Sequence, residues 1–204
     1  MAIARNHVFT IGALCALSAC ATLAPPSAQQ VAPYREAIEL SGRLSVNYER
    51  DGKNESLSGK FNWRQSAQRT DVSLDSPLGQ TIAKIRVTPG AATLTQSGKA
   101  ARVAADIDTL SAQALGWSLP VSGLRDWLQG YAAGADGRRF VASPLRDTVT
   151  TSDGWRLRYV SWQESGQDKT AQAHPQPKRI DAERAAGPHA NAVAIRIVID
   201  PAQP

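Results

Sequence analysis

The chain offers few side chains suited to covalent or acid–base chemistry. Its 204 residues include three histidines and two cysteines. His7 falls beside an apolar run near the start, and His174 and His189 sit in polar stretches flanked by Pro and Gly. No HExxH, GxSxG or P-loop pattern occurs. Asp71 and Asp75 share one face of a predicted strand, where four residues separate them by about 13 Å, too far for a catalytic carboxylate pair. We therefore expect no catalytic residue, no metal site, no cofactor and no enzyme. Cys15 lies inside the apolar run, which leaves Cys20, directly after Leu17-Ser18-Ala19, as the one thiol positioned for modification.

The residues before Cys20 indicate what that modification would be. A cationic stub (Arg5, His7) precedes ten mostly apolar residues, Val8 to Leu17, and then the small pair Ser18-Ala19. This order, with an apolar core too short to span a bilayer, reads as a secretory signal over residues 1–19. Leu-Ser-Ala-Cys resembles the lipobox of bacterial lipoproteins, which implies that Cys20 is lipidated and heads the mature chain. An ordinary signal with an incidental cysteine is the other reading. Removing the signal leaves 185 residues, a size suited to one domain with a substantial core. With Cys20 acylated no free thiol remains, so disulfides and thiolate chemistry are excluded. No other apolar run approaches the roughly 20 residues of a membrane span. The anchor would then be acyl chains, held at about 0.8 kcal/mol per buried CH2.

The charge balance is modest. Lys and Arg number 23 against 18 Asp and Glu, and Arg5 is the only charged residue before Cys20, so the remainder carries +4. The cations are scattered without aromatic interleaving, which argues against nucleic acid. Attraction to anionic lipid headgroups or to an acidic protein stays open.

Residues 20–33 are mostly Ala, Pro, Gln and Ser without charge and read as a flexible tether. Residues 34–204 form the predicted domain, opening with a short helix over Tyr34–Leu40. The period then becomes two. Leu40 to Tyr48, Leu57 to Arg64, Asp71 to Asp75 and Ala83 to Val87 alternate apolar with polar, separated by Asp51-Gly52, Ser76-Pro77-Leu78-Gly79 and Pro89-Gly90. These are antiparallel strands with one wet face, extended by shorter runs at Ala92–Thr95 and Ala101–Val103. Asp106 and Ser122 are placed to cap two short helices carrying Ile107, Leu110, Ala114 and Leu124, Trp127, Leu128. The loop between them, Gly116 to Val121, is unusually apolar. Strands resume at Trp155–Tyr159 and Val193–Ile199, with a weaker signal at Lys178–Asp181. The predicted fold is mainly β, one antiparallel sheet with a helical insert.

Periodicity does not distinguish a filled core from a lined cavity. The five tryptophans, Trp63, Trp117, Trp127, Trp155 and Trp162, suit either. Leu78 stands out because Pro77 and Gly79 set it at a turn where polar residues are usual. It either folds back onto the core or protrudes.

The order of short motifs resembles the LolB family of outer-membrane lipoprotein receptors. The matching pieces are the lipobox, Ser41-Gly42-Arg43-Leu44-Ser45-Val46, Gly59-Lys60-Phe61-Asn62-Trp63, Ser76-Pro77-Leu78-Gly79-Gln80-Thr81, Leu115-Gly116-Trp117-Ser118-Leu119-Pro120-Val121 and Leu124-Arg125-Asp126-Trp127-Leu128-Gln129-Gly130. They span roughly residues 36 to 200 and fit worst over 163–192. The resemblance implies a curved sheet, an incomplete barrel, lidded by the helices over a hydrophobic cavity. It further implies a monomer that accepts lipoproteins from a LolA-type periplasmic carrier and inserts their acyl chains into the inner leaflet of the outer membrane, without nucleotide hydrolysis. Pro77, Leu78 and Gly79 would form the membrane-delivery loop. Trp63, Leu74, Ile85, Leu94, Leu115, Trp117, Trp127 and Leu128 are the candidate acyl-chain lining. Ala21 after Cys20 is the kind of residue that permits outer-membrane sorting, placing the anchor on the periplasmic face. Two other readings remain: an anchored structural or assembly lipoprotein with a filled core that recruits a protein, and a binder of lipopolysaccharide or free fatty acid.

Overall fold

The computed structural model describes residues 28–50, 52–115, 119–164, 174–187 and 191–201. Cys20, Trp117 and most of the segment read as a tether lie outside them. Alternating side chains produce the expected strands: β1 (Ile38–Arg50), β2 (Lys53–Gln65), β3 (Thr70–Asp75), β4 (Thr81–Thr88), β5 (Ala91–Gln96) and β6 (Arg102–Ala104) form a meander. Two helices follow, α1 (Ile107–Leu115) and α2 (Val121–Trp127), and then β7 (Tyr131–Ala133), β8 (Arg139–Val141), β9 (Thr148–Thr150), β10 (Arg156–Glu164), β11 (Pro175–Arg184) and β12 (Val193–Ile199).

The main sheet is antiparallel and ten-stranded in the order β6-β5-β4-β3-β2-β1-β12-β11-β10-β9, and its edge strands do not pair with one another. The last strand returns to the first, with Leu44 opposite Ile197 and Val46 opposite Ile195. This closes the middle of the sheet with residues far apart in sequence. The inner face buries Val46, Phe61, Trp63, Val72, Ile85, Leu94, Leu157, Ile180, Ile195 and Ile197, and the helices cover part of it.

Several local expectations change. No helix forms over Tyr34–Leu40. Gln129 bonds both backbone groups of Arg35, accepting its N–H at 2.9 Å and donating to its carbonyl at 3.0 Å, which holds that segment extended, and Ile38 already pairs with Gln65 in β1. Within the stretch read as a tether, Val31 is buried and its N–H donates to the Ala142 carbonyl. Strand β11 runs ten residues where the sequence signals only Lys178–Asp181, because pairing with both β10 and β12 overrides its polar composition. The hairpin β7–β8 and strand β9, each of three residues, are too short to show periodicity. They make a second, two-stranded sheet and an added edge.

One close crossing aims the β3–β4 connection. A Cβ on Gly59 would collide with the carbonyl oxygen of Asp75, where β3 shifts register and ends. We expect Gly59→Ala to lower stability by about 1–3 kcal/mol, read from urea unfolding. Unchanged stability would show that the crossing relaxes freely.

Candidate functional site

The β3–β4 turn is built to protrude. Pro77 occupies the second position of a β-turn in which the Gly79 N–H donates to the Ser76 carbonyl at 2.9 Å, and Gly79 takes φ +85°. Ser76 also donates its N–H to the Gln80 carbonyl at 2.7 Å, and its hydroxyl accepts from the Gln80 N–H at 3.2 Å. Ser first, Pro second and Gly fourth are the residues such a turn favours. Leu78 falls at the third position, and with every turn bond made by neighbours it is 90% exposed. Holding a leucine in water forgoes about 1.5–3 kcal/mol of burial.

On the inner face, α2 and the segment before it lie over the sheet. Leu119, Val121, Leu124 and Leu128 face Leu44, Phe61, Trp63, Val72, Leu74 and Ile197 across a wholly apolar gap of about 20 Å³. That is room for about one water molecule. In this form the space is too small for an acyl chain.

Polar contacts secure the helices, and those that tie α2 and the segment before it to α1 and the sheet would break if α2 moved away. Asp106 caps α1, accepting the Thr109 N–H at 2.7 Å, and this bond holds its carboxyl below the usual range. Ser122 does not cap α2: Pro120 takes that position, and Ser122 lies in the first turn with its hydroxyl donating to Asp108 of α1. Buried Ser111 of α1 accepts the Leu119 N–H at 2.9 Å, tying the segment before α2 to α1. Arg125 reaches from α2 to the sheet, donating to the Ser66 carbonyl at 2.7 Å and to Thr70 at 3.2 Å, with Glu36 3.3 Å away. Beside it, burial raises the Asp126 carboxyl against the pull of Arg139 and Arg125. Arg125→Ala should quicken hydrogen exchange at the Leu124 and Leu128 amides about tenfold, the equivalent of one lost charged hydrogen bond. Unchanged exchange would mean that the apolar face alone holds α2.

The sequence candidates divide accordingly. Trp63, Leu74 and Leu128 line the gap. Ile85, Leu94 and Trp127 are buried elsewhere in the core, Trp127 edge-on to Trp155 with ring centres 5.8 Å apart. Leu115 ends α1, but its side chain, like all of Trp117, lies outside the described residues. Leu44, Phe61, Val72, Leu119, Val121, Leu124 and Ile197 also line the gap without having been singled out. Their period marks them as inward-facing, but only the tertiary packing selects the part of the face beneath α2. Among the described residues, no three His, Cys, Asp or Glu side chains gather where a metal could bind.

The family model described as outer membrane lipoprotein LolB matches residues 36–201. The chain belongs to the LolB family. The outer-membrane lipoprotein LolB of Cupriavidus pinatubonensis is 41% identical over 202 residues, covering 97% of this chain and 94% of its own. That of Cupriavidus necator is 40% identical over 201 residues, covering 98% of each. Among solved structures, a LolA superfamily protein from Nitrosomonas europaea aligns with a TM-score of 0.40 at 7% identity, covering 81% of this chain and 86% of that one, a likeness too loose to bear on function. Membership in the LolB family makes this an outer-membrane lipoprotein of the lipoprotein-localisation system.

Proposed function

We propose that the protein is a receptor anchored through acylated Cys20 on the periplasmic face of the outer membrane. It takes the acyl chains of a lipoprotein from a LolA-type carrier between sheet and α2, and Leu78 directs them into the inner leaflet. The observation that carries this reading is Leu78 itself, an apolar side chain 90% exposed on a turn whose bonds leave it free to enter a bilayer.

The physics requires a closed route. A triacylated protein carries on the order of 40 CH2 groups, and at about 0.8 kcal/mol each their exposure would cost tens of kcal/mol. Passing the chains from one apolar interior to another avoids that barrier. A rising order of affinities, from carrier to receptor to bilayer, gives direction without nucleotide hydrolysis. The apolar gap supports this mode of holding, because it ignores the attached polypeptide and grips only hydrocarbon. Its small size means that α2 swings away as chains arrive and repacks when they leave.

The deciding experiment incubates a loaded carrier with the protein and follows the cargo. Movement of cargo onto the protein, and from it to vesicles, is the expected result. A protein that binds the carrier yet never removes its cargo would favour an assembly lipoprotein with a filled core.

A further inference from the structure

The outer face of the sheet carries charge that this role leaves unexplained. Register sets Lys60 of β2 directly opposite Arg43 of β1, and both are exposed. Like charges in that position oppose folding, and among the described residues neither side chain has an ion pair or hydrogen bond. Some cations on this face are matched, Arg64 with Glu39, Arg86 with Asp71 and Arg196 with Asp181. Others such as Lys84 are not, but only Arg43 and Lys60 are set opposite each other beside the Leu78 turn. Asp75, the acid across from Lys60, turns its oxygens to Thr81 at 2.8 Å and Asn62 at 3.4 Å. A cleft of about 270 Å³ joins Arg43, Ser45, Ser58, Lys60 and Arg196 to Pro77, the neighbour of Leu78.

We propose that Arg43 and Lys60 bind the phosphate of anionic phospholipid headgroups at the membrane surface while Leu78 enters the acyl region. This rests on the reading of Leu78 as the membrane-delivery residue. An apolar wedge beside cations is the arrangement of an interfacial anchor. The Arg43 guanidinium can fork onto a phosphate, Lys60 supplies a point charge, and the hydroxyls of Ser45 and Ser58, themselves opposed across β1 and β2, can donate beside them. Adjacency to the loop favours a membrane over a soluble acidic protein. A protein seated in this cleft would cover Pro77 and keep Leu78 from the bilayer.

The test reconstitutes the full-length lipidated protein into phosphatidylethanolamine vesicles with or without phosphatidylglycerol and measures cargo transfer from the carrier. Wild type should transfer faster on the anionic vesicles at low salt, and added salt should erase the gain. At about fivefold per basic residue, the Arg43→Ser, Lys60→Ser double variant should lose up to about 25-fold of that gain. Its rate on phosphatidylethanolamine alone should stay at wild type, and so should its melting temperature, since a repulsion has been removed. The charge-preserving pair Arg43→Lys, Lys60→Arg should retain the gain. Full lipid dependence in the double-Ser variant would overturn the headgroup site, as would an equal loss on both vesicles, which marks a protein contact. Leu78→Glu is read separately: normal delivery by that variant would remove the delivery role of Leu78, independent of the lipid dependence.

Discussion

Leu78→Glu should stop delivery of lipoprotein to membranes while leaving the domain as stable as wild type. The side chain makes no burial to lose, and the turn is closed by Ser76, Gly79 and Gln80, none of which is altered. Surface changes of this kind stay within about 0.5 kcal/mol. At a membrane the two side chains diverge sharply. Leucine favours the apolar region and an ionised carboxylate opposes it by about 3 kcal/mol at mid-depth, so even half that difference slows delivery more than tenfold. Leu78→Phe should retain most of the rate. Uptake from the carrier should also persist in the Glu variant, because Leu78 is outside the apolar gap. Cargo would then accumulate on the receptor. A Leu78→Glu protein that loads vesicles at the wild-type rate removes this residue from the mechanism.

Trp127→Glu should unfold the domain rather than merely weaken lipid uptake. The indole is 3% exposed, meets Trp155 edge-on, and lies so close to Gly123 that a Cβ there would sit 2.6 Å from it. Losing the ring leaves a large cavity, costing about 3–5 kcal/mol, and a carboxylate in its place adds a desolvation cost of similar sign. Such a loss rivals the whole stability of a domain, about 5–15 kcal/mol. A lining role for Trp127 would make a charge there impair uptake first; its burial outside the gap puts the cost on folding. Leu74→Glu is the contrast. Leu74 is only partly buried, lies at the end of β3 nearest the Leu78 turn and lines the gap, so uptake should fall with a smaller loss of stability. Thermal melts beside a fatty-acid binding assay separate the two. Equal melting temperatures for both variants would show that Trp127 is not structural.

Much was legible because it is local. Alternation along Leu57-Gly59-Phe61-Trp63 follows from the two-residue repeat of a strand, and it marks the buried face without knowledge of the partner. Asp106 announces a helix start through its own carboxylate. The Ser-Pro-Leu-Gly turn states its geometry in four residues, though not whether Leu78 folds inward or out. What depended on distant segments was not legible. Gln129 holds Arg35 extended across 94 positions, cancelling a helix that the local pattern suggests. Strand β11 exists because two neighbours pair with it.

The sequence by itself determined the inward and outward faces, the Pro-Gly turn beneath Leu78 and, through its motifs, the LolB family. The tertiary structure alone decided that Trp63 and Leu74 meet Leu128 and α2 across the gap while Ile85, Leu94 and Trp127 pack elsewhere, and that Arg43 and Lys60 stand unpaired beside Pro77. Side-chain direction repeats with the backbone, so neighbours along the chain encode it. Which inward side chain touches a helix, and how much space remains between them, depends on register and interlocking among segments that meet only when the sheet has formed.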